Sequence, residues 1–133
     1  MESLLTLLLL ISITSVIGLT LRAKKGVIKK GTRVKISEGE FGGKYGSRLT
    51  ILQFSTTFCS ECRTAKAIVK DVVKDSKDIT YVEVDAESNL ELVRRVDIRS
   101  TPTTIFLDSK GFEVARAKGA PKRDQLIKAI KAI

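Results

Sequence analysis

The chain has 133 residues, a length typical of one domain with little left over for a second. Its formal net charge is +9, from 24 Lys and Arg against 15 Asp and Glu. The excess of basic residues lies between Arg22 and Lys35, whereas acidic and basic residues nearly balance from Leu49 onward. Aromatic residues make up only 5% and do not alternate with basic ones, which argues against a nucleic-acid-binding site.

The first predicted element is an apolar run from Leu4 to Leu21 that contains no charged residue. At about 1.5 Å per residue, such a helix just crosses a hydrocarbon core of about 30 Å. A cleaved signal peptide is the main alternative, but the residues before the run carry no Lys or Arg and no small-x-small cleavage site follows it. A buried core helix is rarely this long without a charge. We therefore predict a membrane anchor over residues 1–21, in contact with the lipid bilayer through residues 4–21.

The orientation of this anchor follows from its flanks. All nearby Lys and Arg residues lie on its C-terminal side. The positive-inside rule therefore predicts a single-pass protein of the cell membrane whose C-terminal domain is cytoplasmic. An extracytoplasmic domain remains the alternative, because the two cysteines of the chain are compatible with either compartment.

Residues 22–48 are rich in Lys and Gly and contain few apolar residues. This composition predicts a mobile linker, with Val34 to Ile36 as the one candidate for a short edge strand. Its cations suit either a stop-transfer flank or contact with anionic lipid headgroups, and the two roles are compatible.

The next two elements surround the only two cysteines of the chain, Cys59 and Cys62. The run from Leu49 to Ser55 predicts a buried central strand. A helix is predicted over residues 59–76, because its apolar residues recur at helical spacing. If Cys59 lies in the first turn of this helix, Cys62 follows on the same face within reach of a disulfide.

This position favours redox chemistry. Free N–H groups and the helix dipole stabilise a thiolate at Cys59, and Cys62 is placed to resolve a mixed disulfide. A zinc site would need two more ligands from a chain without histidine or further cysteines. A haem-attachment motif would need His where Arg63 stands. Two unrelated buried cysteines are the remaining alternative.

Beyond the cysteines, Ile79 to Asp85 predicts a strand, and Asn89 to Val96 a helix with a capping box from Ser88 and Glu91. Leu90 and Val93 are expected to face the core, with Leu92 as a further candidate. Residues 103–108 and 112–118 predict a hairpin, and an amphipathic helix after Pro121 closes the chain.

Several residues around this framework resemble the thioredoxin family, over about Leu49 to Ile133. They are Phe58 before the first cysteine, the Thr101-Pro102-Thr103 loop, Gly111 in the hairpin and Gly119. The resemblance implies an α/β thioredoxin fold of order βαβαββα over residues 49–133, with a four-stranded mixed sheet flanked by helices. It also implies a cis Thr101–Pro102 bond, with an ordinary trans bond as the alternative, and a substrate groove formed by Phe58, Thr101, Pro102 and Gly119. In the family, the backbone of the residue before this proline, here Thr101, pairs with an extended substrate segment.

Two features depart from the family pattern. Gln53 stands where many thioredoxins carry a buried acid, and an amide cannot act as a base near neutral pH. It is expected to satisfy a backbone group or a water instead. Ser60 and Glu61 replace a Gly-Pro pair between the cysteines. The charge of Glu61 is expected to raise the cysteine pKa, against the helix dipole and Arg63, although solvent screening would remove this effect.

The sequence thus predicts a membrane-tethered thiol–disulfide oxidoreductase that acts on protein disulfides through Cys59 and Cys62. The redox-active disulfide is the only group that this chemistry needs, so no metal or organic cofactor is predicted. The sequence names no electron donor. The alternative function is a thioredoxin-fold binding or assembly module at the membrane, in which the dithiol has no significant redox turnover.

Overall fold

The computed structural model describes residues 1–133 as five strands and five helices around one mixed sheet. The strands are β1 (Ile28–Lys30), β2 (Leu49–Ser55), β3 (Ile79–Asp85), β4 (Thr103–Asp108) and β5 (Glu113–Lys118). The helices are α1 (Glu2–Lys24), α2 (Glu38–Phe41), α3 (Ser60–Val73), α4 (Leu90–Arg95) and α5 (Arg123–Ala132).

Strand β2 lies at the centre of the sheet, whose order is β1-β5-β4-β2-β3. It pairs with β3 in parallel and with β4 in antiparallel orientation, and all seven of its residues are buried. A strand that is covered on both faces carries apolar side chains in both alternating sets, which explains why its sequence shows no polar face. The bounds predicted for β2 and β3 are those found.

Helices cover both faces of the sheet, as the resemblance to the thioredoxin family implies. One core contains Leu49 and Ile51 of β2 and is closed by Val69 of α3 and Leu126 of α5. The other core contains the alternate β2 side chains, Leu52 and Phe54, together with residues of α2 and α4. The parity of β2 therefore places its odd-numbered residues beneath α3, the helix that carries the cysteines.

Helix α1 lies outside both cores, and none of its 23 residues is buried. Its length and apolar composition suffice to cross a membrane, and the helix of a signal sequence has the same properties. It ends at Lys24, and the chain turns at Gly26 before it enters β1.

The segment between α1 and β2 differs from the predicted mobile linker. Strand β1 pairs antiparallel with β5 and adds a fifth strand to the four that were predicted. Ile36 has no exposed surface, and Phe41 is also buried in the core beneath α4. The sequence missed this packing because β1 has only three residues, two of them exposed lysines, and pairs with a strand about ninety positions away along the chain.

A capping box is present, but at a helix other than the predicted one. In α2, Glu40 accepts hydrogen bonds from both the backbone N–H and the hydroxyl of Ser37. The hydroxyl of Ser88 instead donates to Asp85, and Asn89 is the N-cap of α4 without a side-chain cap bond.

The apolar contacts of α4 also differ from the prediction. Leu92 is the buried residue of this helix, Val93 is half-buried, and Leu90 is 53% exposed. The remaining boundary differences are small, since α3 begins at Ser60 rather than Cys59 and ends at Val73, and β5 begins at Glu113.

The packing of residues 28–48 generates a first prediction. Ile36→Ala is expected to lower the free energy of unfolding by about 2 to 5 kcal/mol, because it leaves a cavity in a closed core. The exposed Leu90→Ala is the control and should change this free energy by no more than about 0.5 kcal/mol. Denaturant unfolding followed by the fluorescence of Tyr45 and Tyr81 measures both. If Ile36→Ala lowered the free energy of unfolding as little as Leu90→Ala does, residues 28–48 would be a mobile linker.

Candidate active site

The two cysteines lie at the carboxyl end of β2, where the chain enters α3. Cys59 is the N-cap of α3, and Cys62 lies in its first turn. The two form a disulfide with their Cα atoms 5.2 Å apart. Cys59 is half-buried, whereas Cys62 is only 4% exposed. An attacking partner therefore reaches the sulfur of Cys59 more readily than that of Cys62.

The backbone of α3 is arranged to stabilise negative charge on Cys59. The N–H of Cys62 donates to Cys59 Sγ at 3.1 Å, in the manner of a helix N-cap. The N-terminal end of the helix dipole points at the same sulfur. Both effects favour the thiolate, the form of cysteine that attacks disulfides.

Gln53 lies directly beneath the cysteines, because its odd-numbered position faces α3. It has no exposed surface, and its Nε2 donates to the carbonyl oxygen of Cys62 and to the hydroxyl of Ser55, each at 2.9 Å. Its Oε1 accepts from the hydroxyl of Tyr81 at 3.0 Å. Every polar group of the amide is thus engaged, so that Gln53 braces the first turn of α3.

Tyr81 completes this buried network. Burial, and secondly the negative charge of Glu83, raises the pKa of Tyr81. The hydroxyl therefore stays protonated at neutral pH and remains a donor to Gln53. The side chains of this network beneath Cys62 are an amide and two hydroxyls, and none of them titrates near neutral pH.

The loop that contains Pro102 borders the cysteines on the other side. The Thr101–Pro102 bond is cis, and Pro102 is buried. Thr101 makes no backbone–backbone hydrogen bond, and its hydroxyl lies 3.4 Å from that of Thr56. Its backbone N–H and C=O are therefore available to an extended chain.

Gly119 continues this border at the end of β5. Its N–H donates to the carbonyl oxygen of Pro102 at 2.8 Å, and its φ is +83°, a conformation that favours glycine. Phe58 lies on the loop before Cys59 and is 97% exposed. The structure thus brings together Thr101, Pro102 and Gly119, whereas Phe58 stands out into solvent beside them.

The residues between and after the cysteines take different positions. Glu61 turns toward the groove, where a Cβ built on Gly119 would lie 3.3 Å from its Oε1. The same oxygen lies at 3.5 Å from the N–H of Ala120, the outer limit of a hydrogen bond. Ser60 and Arg63 are exposed, and Arg63 forms no salt bridge.

Residues from the end of α1 also border the groove, and sequence reasoning missed them. A pocket of about 230 Å³ joins the groove to this helix. It is lined by Leu21, Lys24, Lys25, Glu61, Ser100, Thr101, Lys118 and Gly119. No local pattern signals this contact, because the helix and the groove are about eighty positions apart along the chain.

Cys59, the N-cap of its helix, forms a disulfide with Cys62 in the first turn, beside a cis-proline loop. This arrangement defines a class of proteins that carry out dithiol–disulfide exchange. The comparison with known families agrees with this class. The profile of the family described as "Thioredoxin" matches residues 34–132, most of the chain. The chain therefore belongs to the thioredoxin family.

Individual relatives support the assignment. Thioredoxin H5 of Oryza sativa subsp. japonica is 37% identical over 60 residues, 45% of this chain and 44% of that protein. The chain thus spans less than half of this rice protein. Thioredoxin of Mycoplasmoides gallisepticum is 30% identical over 78 residues, 59% of this chain and 78% of that protein.

Solved structures agree in fold. Thioredoxin-2, described as a component of the malaria parasite protein secretion machinery, superposes with a TM-score of 0.59 at 28% identity, over 65% of this chain and 84% of its own. Thioredoxin of Fasciola hepatica superposes with a TM-score of 0.58 at 26% identity, over 65% of this chain and 82% of its own. With its cysteine pair, the chain is a thiol–disulfide oxidoreductase of the thioredoxin fold, and proteins of this family act on protein disulfides.

Proposed function

We propose that this protein is a membrane-tethered reductant of protein disulfides. The observation that carries the proposal is the asymmetry of the pair, in which the more exposed Cys59 receives an N–H donor and the buried Cys62 lies behind it. In the reduced protein, the Cys59 thiolate attacks one sulfur of a substrate disulfide. A mixed disulfide forms, and the other substrate sulfur leaves as a thiolate that takes up a proton.

Cys62 completes the exchange. Its thiol loses a proton to solvent, and the resulting thiolate attacks Cys59 Sγ and closes the Cys59–Cys62 disulfide. The second substrate sulfur leaves as a thiolate and takes up a proton. Two electrons pass to the substrate in all, and a thiol or dithiol reductant must return them. The dithiol itself supplies this chemistry, so no step calls for a metal or an organic cofactor.

The groove residues have positioning roles in this proposal. Thr101 offers its free backbone groups to an extended substrate segment, which would add as a strand beside Pro102. Gly119 leaves room for that segment, and the exposed ring of Phe58 offers it an apolar contact. Ser60, Glu61 and Arg63 surround the attacking sulfur, and Gln53 supports the helix turn from below.

The tether is helix α1. We propose that its apolar residues 4–21 cross the cell membrane once, and that the redox domain extends from Ile28 to the C-terminal end of the described chain. The absence of burial in α1 and the run of lysines that follows it support this division. The lysines also support a cytoplasmic domain through the positive-inside rule.

Reduction of a protein disulfide tests the function. The full-length protein in detergent micelles, with a dithiol reductant, is expected to accelerate insulin reduction, and Cys59→Ser to remove the acceleration entirely. Cys62→Ser should instead accumulate a mixed disulfide, visible as a covalent adduct on a non-reducing gel. Glu91→Gln, at an exposed position on α4, is the control and should keep the activity. If the wild type and Cys59→Ser both leave insulin reduction at the rate of the reductant alone, a binding module without redox turnover is favoured.

Glu61 sets the redox potential in this proposal. Its carboxylate disfavours a neighbouring thiolate, so Glu61→Gln is expected to stabilise the reduced form and to shift the potential by about 10 to 30 mV toward less negative values. Equilibration against glutathione measures the shift, and exposed Glu91→Gln on α4 is the control. An unchanged potential, or a more negative one, would show that Glu61 does not tune the pair.

The sidedness is tested by thiol labelling. In Cys62→Ser, mild reduction first releases any mixed disulfide, and Cys59 is then the only thiol of the chain. A membrane-impermeant maleimide is expected to label it in lysed cells but not in intact ones. Ser3→Cys in a chain that lacks both native cysteines is the matched probe of the opposite side, and it should be labelled in intact cells. Labelling of Cys59 in intact cells would place the domain outside and contradict the charge argument.

A further inference from the structure

The end of helix α1 forms one wall of the redox groove. Leu21, the last residue of the apolar run, lines the same pocket as Glu61 and Thr101. Lys24 and Lys25 line it as well. At about 1.5 Å per residue, Lys25 lies only about 6 Å along the helix axis from Leu21. The groove therefore opens within one helical turn of the segment that enters the membrane.

The position of this wall is determined by a close backbone contact at Gly26. Its N–H donates to the carbonyl oxygen of Lys118 at 2.6 Å, next to Gly119 of the groove. Gly26 is buried with a φ of +73°, and a Cβ at this position would lie 2.1 Å from the carbonyl oxygen of Ala120. Only glycine allows this approach. Strand β1 follows at once and pairs with β5, so the end of α1 is held against the strand that leads into the groove.

The charges around this pocket are unequal. Its lining contains three lysines, Lys24, Lys25 and Lys118, but a single carboxylate, that of Glu61. None of the three lysines forms a salt bridge. An acidic polypeptide segment would be attracted into such a groove, and a basic one would be repelled.

We propose that the groove is specific for disulfides in acidic, extended segments that lie at the membrane surface, as in membrane proteins and their juxtamembrane regions. The wall formed by α1 and the bilayer behind it exclude bulky soluble proteins from Cys59. This inference rests on the proposed function, because it names the substrates of the same dithiol.

The steric part is tested with the full-length protein in phosphatidylcholine vesicles and two disulfides of different size. A small aromatic disulfide reaches Cys59 past the wall. Insulin, which can approach the protein in detergent micelles, is expected to be reduced only slowly when α1 spans a bilayer. Gly26→Ala moves the wall away from Lys118 and Ala120, and it is expected to raise the insulin rate about threefold or more while the rate for the small disulfide stays unchanged. Gly42→Ala is the matched control, since Gly42 also has a positive φ (+70°) but nothing lies within 4 Å of its Cβ position.

A second variant covers the case in which Gly26→Ala does not fold. An insertion of about eight Gly and Ser residues between Lys25 and Gly26 is a flexible coil that separates α1 from the groove without a new side chain in the contact. It should raise the insulin rate in the same way. If folded variants reduce insulin at the wild-type rate, the proposal that α1 blocks the access of insulin to Cys59 is wrong. Cys59→Ser gives the background rate for the small disulfide. If neither the wild type nor these variants exceed that rate, the proposed function itself is wrong.

The charge part is tested with lipid-anchored peptides in the same neutral vesicles. A disulfide flanked by Glu is expected to be reduced about two- to fivefold faster than one flanked by Lys. The double variant Lys24→Ala, Lys25→Ala should lose most of this preference, and Lys128→Ala, Lys131→Ala on α5 should keep it. Equal rates for the two peptides with the wild type would overturn the preference for acidic segments.

Discussion

The burial of β2 is the constraint on which the rest of the structure depends. All seven residues of this strand are buried between two helical layers, and its two alternating sets of side chains belong to two different cores. Because the strand is held along its whole length, its carboxyl end places Cys59 at the N-terminus of α3. The reactive sulfur thus owes its N–H donor and its helix dipole to the packing of Leu49, Ile51 and Phe54.

The same strand carries Gln53, which supports the first turn of α3 from below the cysteines. Gln53 bonds to the carbonyl oxygen of Cys62 and to the hydroxyl of Tyr81, and burial keeps that hydroxyl protonated. A buried acid at this position would offer a proton acceptor, whereas the amide offers only rigidity. The proton of Cys62 must therefore pass to solvent or substrate, and we expect the chemistry of the pair to depend on the helix terminus and the groove.

The segment between α1 and β2 connects this site to the proposed membrane anchor. Beyond the contact of Gly26, it is held where the buried carboxylate of Glu113 accepts hydrogen bonds from Thr32 and from the guanidinium of Arg116. Ile36 and Phe41 then anchor it in the core. These contacts make the segment part of the domain, and they explain why the groove has a defined position relative to α1.

A continuous local pattern made four elements predictable from the sequence: the central strand, the cysteine helix, the hairpin and the apolar N-terminal run. The spacing of Cys59 and Cys62 and the cis Pro102 loop were likewise predictable, the second through family resemblance. The folded chain alone reveals the fifth strand, the burial of Ile36 and the position of Lys24 and Lys25 beside Gly119. These features rest on pairings between distant parts of the chain, and a short, charged strand carries no periodicity that reveals its partner.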